Sequence, residues 1–445
     1  MAKKSARVKK AAKAKKTAKS KKVAKAKKTA KGGAGGGVGT AANGFAFANI
    51  KKSPDNFTSF SKDETLADSR VHGPPNIRPL RGPRKNPPVM ALDEVLGNTV
   101  VQQIQTARSI TIHTVGDSGG IKEPAGQFAV ADALAADLVG KTYANGRAAF
   151  FYHLGDVVYY FGQERYYYDQ FYDPYRDYEG PIFAIPGNHD GMTSPSLDEK
   201  SLDGFWNNFC SDVPRNNPDA QGFARTTMTQ PGIYFTLNAP FVKVIGLYSN
   251  CSESDAEGVI SDNITGPAQL NFLKQQLTEA AKDRDDGKQF ALLLAVHHPA
   301  YTTSEDHMPS PTMLKQIDAA CKAAKIYPDM VLSGHAHLYE RYTRFVDANQ
   351  IPFLVAGCGG FYNLAGIKNP NLVPPTTGKT DTDEEGYKVR LEKYYNRIFG
   401  FLRLTISATQ ITGEFIGVDV PTRKVSSHDK FTVNLRKNGN TVSSP

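Results

Sequence analysis

The chain has 445 residues, 40% hydrophobic and 22% charged, with 54 Lys and Arg against 44 Asp and Glu. That length holds one large domain or two ordinary ones. No apolar run approaches the roughly 18 residues of a membrane-spanning helix, and four cysteines exclude a disulfide scaffold.

The net charge of +10 is unevenly spread. Residues 1–54 carry seventeen Lys or Arg and no Asp or Glu, which leaves 37 basic against 44 acidic residues over 55–445. Residues 2–31 repeat Lys and Ala with no aromatic residue. Such a segment cannot bury enough surface to offset its chain entropy, so a disordered basic tail is expected over 1–40. Its fifteen positive charges within residues 1–31 suit nucleic acid or another polyanion, bound through phosphate contacts. A secretory leader would need an apolar stretch after the basic one, and none follows. A cytoplasmic location is therefore expected, with Cys210, Cys251, Cys321 and Cys358 as free thiols. Six glycines in 32–39 read as a hinge, and the Pro-rich stretch within 41–100 reads as an extended arm.

From about residue 101 the pattern alternates. SITIHTV (109–115) reads as a strand ending in GDSGG, and Val130, Leu134 and Leu138 then recur four apart, as on a helix. AAFFYHL (148–154) is a second strand, ending in GDVVYY. PIFAIP (181–186) is a third, ending in GNHD. Leu270, Leu273 and Leu277 mark a helix with Pro267 near its first turn. FALLLAV (290–296) runs into HHP, and a helix around 312–325 leads to PDMVLSGHAH (328–337). Residues 399–420 alternate apolar and polar side chains, as paired antiparallel strands do. An α/β catalytic domain with mixed sheets is expected over 101–425, followed by a C-terminal extension over 426–445.

Five strands thus end in short polar motifs, and ligands of open α/β sheets bind at the carboxyl ends of strands. The donors there are Asp117, Asp156, Tyr159, Asn188, His297, His335 and His337. Each has an ordinary alternative, since Asp after Gly is a common turn residue and eight of the twenty residues 159–178 are Tyr. Together they are hard oxygen donors and imidazoles without a thiolate, which suits iron, manganese or zinc. A carboxylate such as Asp156 can bridge two cations. His113, alone on an apolar strand, reads as a core residue.

The motifs GDSGG (116–120), GDVVY (155–159), GNHD (187–190), VHHP (296–299) and GHAHLYER (334–341) resemble, in order, those of the calcineurin-like metallophosphoesterases and, within them, the purple acid phosphatases. The resemblance implies a four-layer αββα sandwich with two mixed β-sheets. It also implies two metal ions. Asp117, Tyr159 and His337 would hold an Fe(III), Asn188, His297 and His335 would hold an Fe(II), Zn or Mn, and Asp156 would bridge them. The broad superfamily usually places a His two residues after its first motif Asp, whereas this chain has Gly119 there and Tyr159 downstream. In HHP the family spacing selects His297 over His298. His189 and His307 are candidates for contacting the substrate, and Asp190 for orienting His189. The implied activity is hydrolysis of phosphomonoesters by in-line attack of a metal-bound hydroxide, as in a purple-type acid phosphatase. The alternatives are a phosphodiesterase or nucleotide hydrolase with the same metals, and a nucleic-acid-associated protein whose tail is the main functional element.

Overall fold

The computed structural model describes residues 39–41, 43–47, 80–192, 200–251, 258–263, 265–376, 381–436 and 439–444. The Lys/Ala tail and most of the Pro-rich arm lie outside the described residues.

Six short strands position the site. Ile110–Val115 (β1), Ala148–His153 (β2) and Ile182–Ala184 (β3) are buried at every residue. So are Val242–Gly246 (β4), Ala291–Ala295 (β5) and Met330–Ser333 (β6). Unbroken apolar runs such as ALLLA are what a strand covered on both faces requires.

β1, β2 and β3 run parallel, with Ile112 opposite Phe150 and His153 opposite Ala184. On the other side of β1, Phe399–Ile406 pairs antiparallel, and the sheet continues through Gln410–Val418, Val425–Asn434 and Thr441–Ser443 to seven strands. The second sheet has nine strands, with β4, β5 and β6 parallel at its centre. The two sheets meet face to face. The ring of Tyr152 on β2 lies 6.3 Å from Phe235 of the second sheet, and Tyr339 stacks on Phe415 at 4.1 Å. Aromatic pairs of this kind add about 1 kcal/mol beyond the area they bury.

Helices cover the outer faces. Ala125–Ala136 (α1) packs on strand Phe399–Ile406. Asn188–Gly191 (α2) is a single turn after β3, and Asp203–Phe209 (α3) follows it. Ala268–Asp285 (α4), with Pro267 at its N-cap, and Pro311–Ala324 (α5) pack on each other. Lys243 of β4 pairs with Asp283 of α4 at 3.2 Å. Arg344 ties α5 to the second sheet through Asp318. The architecture is therefore the expected αββα sandwich of two mixed sheets.

Two boundaries fall differently from the sequence reading. Residue 426, expected to open an extension, lies inside Val425–Asn434, which pairs along its length with Gln410–Val418. Its alternating Phe431 and Val433 are buried as sheet residues. At the other end, Val89–Ala91, at the close of the Pro-rich arm, forms an edge strand beside Phe235–Ala239. The four cysteines are buried and form no disulfide with one another. Among the described residues, no helix is long and apolar enough to cross a membrane.

Candidate metal centre

The segments that follow β1, β2 and β3 in one sheet, and β4, β5 and β6 in the other, bring their side chains together in one buried cluster. The chain turns sharply in these segments. Asp117, Asp156 and His335 all have positive φ, at 56°, 54° and 66°. Such conformations cost a non-glycine residue roughly 1 kcal/mol or more and cluster at functional sites.

Around Tyr159, three donors converge. The Tyr159 hydroxyl donates to Asp117 Oδ1 at 3.2 Å and lies 3.3 Å from His337 Nε2, which is 3.6 Å from the same carboxylate oxygen. Around Asn188, a second set forms. Asn188 Oδ1 lies 3.1 Å from His297 Nε2 and 3.0 Å from His335 Nδ1. Asp156 joins the two, with Oδ2 at 3.4 Å from His297 Nε2 and a hydrogen bond with Tyr159. One oxygen each from Asp117 and Asp156 and a nitrogen of His297 lie within 4.8 Å of one another. All seven side chains picked out by the motifs meet here, and all are buried.

Backbone contacts fix the imidazoles. His297 Nδ1 donates to the Leu154 carbonyl at 2.8 Å, and His337 Nδ1 to the Asn363 carbonyl at 3.0 Å, so each turns Nε2 inward. This is how a metal-ligating histidine is normally oriented. The His335 N–H donates to Asp117 Oδ2 at 2.8 Å.

The electrostatics are those of a site short of positive charge. Burial and the neighbouring Asp156 push Asp117 well above the carboxylate range, against the pull of His297. Asp156 is also penalised by burial, but His297 and His189 hold it low. Burial opposes a charge on His297, yet Asp156 and Asp117 raise its pKa to about 9. Burial drives His335 and His337 well below the usual histidine value. Burial, Asp156 and Asp117 together push the Tyr159 phenol far up. A proton on His297 is the main counter-charge in this set. His335 Nε2 is buried with no hydrogen-bond partner among the described residues. Hard donors, inward-facing imidazoles and uncompensated carboxylates fit two cations.

The remaining candidates fall into place separately. His189 stands at the site, its N–H bonded to Asp156 Oδ1 at 2.9 Å and its ring 4.4 Å from Tyr159. The Tyr160 carbonyl accepts from its Nδ1 at 2.8 Å. Asp190 does not orient it. That carboxylate accepts the N–H groups of Val157, Val158 and Gly187 and thereby ties the GDVVY and GNHD turns together. Burial and Asp156 raise its pKa to about 7 against those donors. His307 stands at the cluster, its ring 4.5 Å from His335 and 4.8 Å from His337. Burial lowers its pKa to about 4. His113 is a core residue, 3.0 Å from Asp137.

The sequence reading missed several supports. Ser249 Oγ accepts the N–H groups of His297 and His298 at 3.1 and 3.0 Å. His298 packs on His335 at 4.2 Å, and its Nδ1 contacts the same serine. Gln170 clamps Tyr159 by accepting from its N–H at 2.9 Å and donating to its carbonyl at 2.6 Å. Phe361 stacks on the Tyr159 ring at 4.2 Å. The glycines at 357, 359 and 360 were a signal for that last loop, since they mark a backbone pressed against other backbone.

The profile of the calcineurin-like phosphoesterases matches residues 110–339. The chain belongs to this family, whose members are hydrolases of the metallophosphoesterase kind and usually bind two metal ions. No curated protein sequence matches the chain. Three solved structures show the range of structural likeness. GAP50, described as the anchor in the inner membrane complex of Plasmodium, is 14% identical and covers 74% of this chain and 90% of its own, with a TM-score of 0.48. PhoD is 11% identical and covers 76% and 72%, with a TM-score of 0.44. A putative 5′-nucleotidase from Staphylococcus aureus, in complex with alpha-ketoglutarate, is 13% identical and covers 72% and 53%, with a TM-score of 0.32.

Proposed function

We propose that the chain is a binuclear metal-dependent phosphatase of the purple acid type, acting on phosphomonoesters. The observation that carries this reading is the Tyr159 hydroxyl, at 3.2 Å from Asp117 and 3.3 Å from His337 within the cluster. A phenolate is a hard anionic donor and favours a ferric ion. Asp117, Tyr159 and His337 would hold Fe(III). Asn188, His297 and His335 would hold Fe(II), zinc or manganese, with Asp156 shared. Bound there, two cations would lower the pKa of water and neutralise charge on the phosphoryl oxygens.

The chain supplies orientation and protons. His189 has Nδ1 committed to the Tyr160 carbonyl, so its Nε2 would donate to a phosphoryl or leaving-group oxygen only when the ring carries its second proton. His307, with its ring 4.5 Å from His335 and 4.8 Å from His337, would make a similar contact. Asp190 holds the two motif turns in register, so its effect on turnover is indirect.

The test is metal analysis with a visible spectrum. Wild-type protein should carry iron and a charge-transfer band, and Tyr159→Phe should lose the band. An iron-loaded, active but colourless wild type would overturn the ferric-tyrosinate assignment. An aryl phosphate monoester should be turned over faster than the matching diester. The opposite order would make the protein a phosphodiesterase.

The basic segment 1–31 is proposed to hold a nucleic acid or another polyanion. Support comes from its fifteen basic side chains, with no acidic residue before Asp55. Deleting residues 1–40 should abolish salt-sensitive polyanion binding and leave aryl phosphate turnover intact. Binding that survives the deletion removes this role.

A further inference from the structure

His153 closes β2, and its backbone is fixed by strands on both sides. It stands opposite Val115 of β1 and Ala184 of β3, and its carbonyl accepts the Ile185 N–H at 3.1 Å. Asp156 follows three residues later. The His153 ring is fully buried, and nothing in the proposed chemistry uses it.

The two ring nitrogens have different partners. The Gly155 N–H reaches Nδ1 at 3.2 Å. A backbone N–H only donates, so Nδ1 accepts, and a neutral ring then carries its one proton on Nε2. Nε2 lies 2.7 Å from Ser118 Oγ and donates to it. The other tautomer, or an imidazolium, would set an N–H against the Gly155 N–H, so the geometry selects a single form. Ser118 directly follows Asp117 and is itself fully buried.

This bond joins the turns that carry Asp117 and Asp156. Both aspartates have positive φ, a conformation that persists only where its surroundings hold it. Backbone bonds also link the turns, from the Asp117 N–H to the Gly155 carbonyl at 2.9 Å and from the Ser118 N–H to the Asp156 carbonyl at 3.3 Å. Beyond Ser118 the polar contacts continue. The Tyr175 hydroxyl interacts with Ser118 and Gln127. Gln127 accepts the Gly120 N–H at 2.9 Å and donates to the Gln170 carbonyl. Gln170 in turn grips Tyr159. One buried polar chain thus runs from the turn of Asp156, through the turn of Asp117, to Tyr159.

We propose that His153 and Ser118 are positioning residues for the metal pair, in which the Nε2–H of a neutral His153 donates to Ser118 and sets the spacing between Asp117 and Asp156. One oxygen of each aspartate and a nitrogen of His297 lie within 4.8 Å of one another, so displacing either turn changes how the two carboxylates can share a pair of cations. The inference rests on the binuclear reading and adds two residues behind its ligands.

The full chain is loaded with Mn(II), whose paired spins report their separation through exchange-coupled EPR lines, and is compared with Ser118→Ala and His153→Phe. Wild type should show a coupled pair. Each variant should weaken or lose the coupled signal, bind its second Mn(II) about 10–100-fold more weakly, and lower kcat for an aryl phosphate with little change in KM. The double variant removes both partners of the bond, so its denaturation midpoint should recover relative to the sum of the single changes. Its coupled signal should not recover, whereas a merely structural role would restore both together. Wild type loaded with Zn(II) gives a reading that needs no variant: the nitrogen NMR shifts of His153 should be those of an Nε2–H ring, and a proton on Nδ1 overturns the proposal. Folded variants with wild-type coupling and kcat overturn this inference alone. A wild type that takes up no coupled pair overturns the binuclear reading and this inference with it.

Discussion

The ring of Tyr159 occupies the space that a side chain at position 119 would need. A Cβ built on Gly119 would lie 2.6 Å from Tyr159 Cδ2, and it would also strike Gln170. Gly119 and Tyr159 are therefore one choice made at two positions. A His at 119 and a Tyr at 159 exclude each other by volume, so a chain that places its donor on the second motif has to keep the first motif bare.

Gly119→His should displace Tyr159 and lower both metal content and turnover, with an overpacking cost of about 1–3 kcal/mol. Gly119→His combined with Tyr159→Ala should recover stability relative to the sum of the single changes. Denaturant midpoints and metal content across the four proteins measure that coupling. Strict additivity would mean that the two positions are independent.

Gln170 grips the backbone of Tyr159 from both sides, at 2.9 and 2.6 Å. Its own carbonyl accepts from Gln127. Gln170→Ala should lower turnover by about 10–100-fold, the usual effect of losing a support behind a metal ligand. On the proposed ferric-tyrosinate assignment it should also shift or weaken the expected visible band. An unchanged spectrum with lowered activity would place the effect elsewhere.

Arg344 is buried in a carboxylate cage, bidentate to Asp318 at 2.7 and 2.6 Å and 2.8 Å from Asp383. Arg344→Met would leave both carboxylates buried without their cation, at a cost of about 3–5 kcal/mol. The denaturation midpoint should fall accordingly, while correctly folded protein should retain its metal content. Replacing Asp318, Asp383 and Arg344 together with apolar residues should cost far less than Arg344→Met alone.

Acid stability should depend on Asp137. Burial works against its charge, but hydrogen bonds from His113 and Lys141, together with Arg403, lower its pKa from 3.8 to about 2. A carboxylate depressed in this way contributes stability that is complete above pH 4 and is lost as pH falls towards 2. Its partner His113 is held below its usual value chiefly by burial, so protonating that ring also disfavours the fold. Lys141 and Arg403 are thus the cations that matter to Asp137 at neutral pH. In Asp137→Asn, the drop in unfolding free energy from urea titrations between pH 4.5 and 2.5 should be smaller than in wild type by about 1–2 kcal/mol. Parallel curves for the two proteins would contradict this.

Local pattern was enough to announce the strands and the donors. The run ALLLA has no polar alternation, as a strand covered on both sides requires, and ITIHTV reads as a strand from its β-branched residues, so the motifs that follow are expected at strand ends. The same logic delivered Asp117, Asp156, Asn188 and His297 to one edge of the sandwich. It could not deliver the job of Asp190, whose partners Val157 and Val158 sit on a different strand end. Nor could it show that residues beyond 425 complete the seven-stranded sheet, since an edge strand and an extension can carry the same alternation.

What the sequence determined alone was the list of donors and the elements that carry them, because hydrophobic period and turn residues act over a few positions of chain. What the tertiary structure decided was which donors face each other, that Tyr159 fills the space beside Gly119, and that His153 reaches Ser118. Those relations join residues tens to hundreds of positions apart, and only the packing of two sheets against each other sets the distances between them.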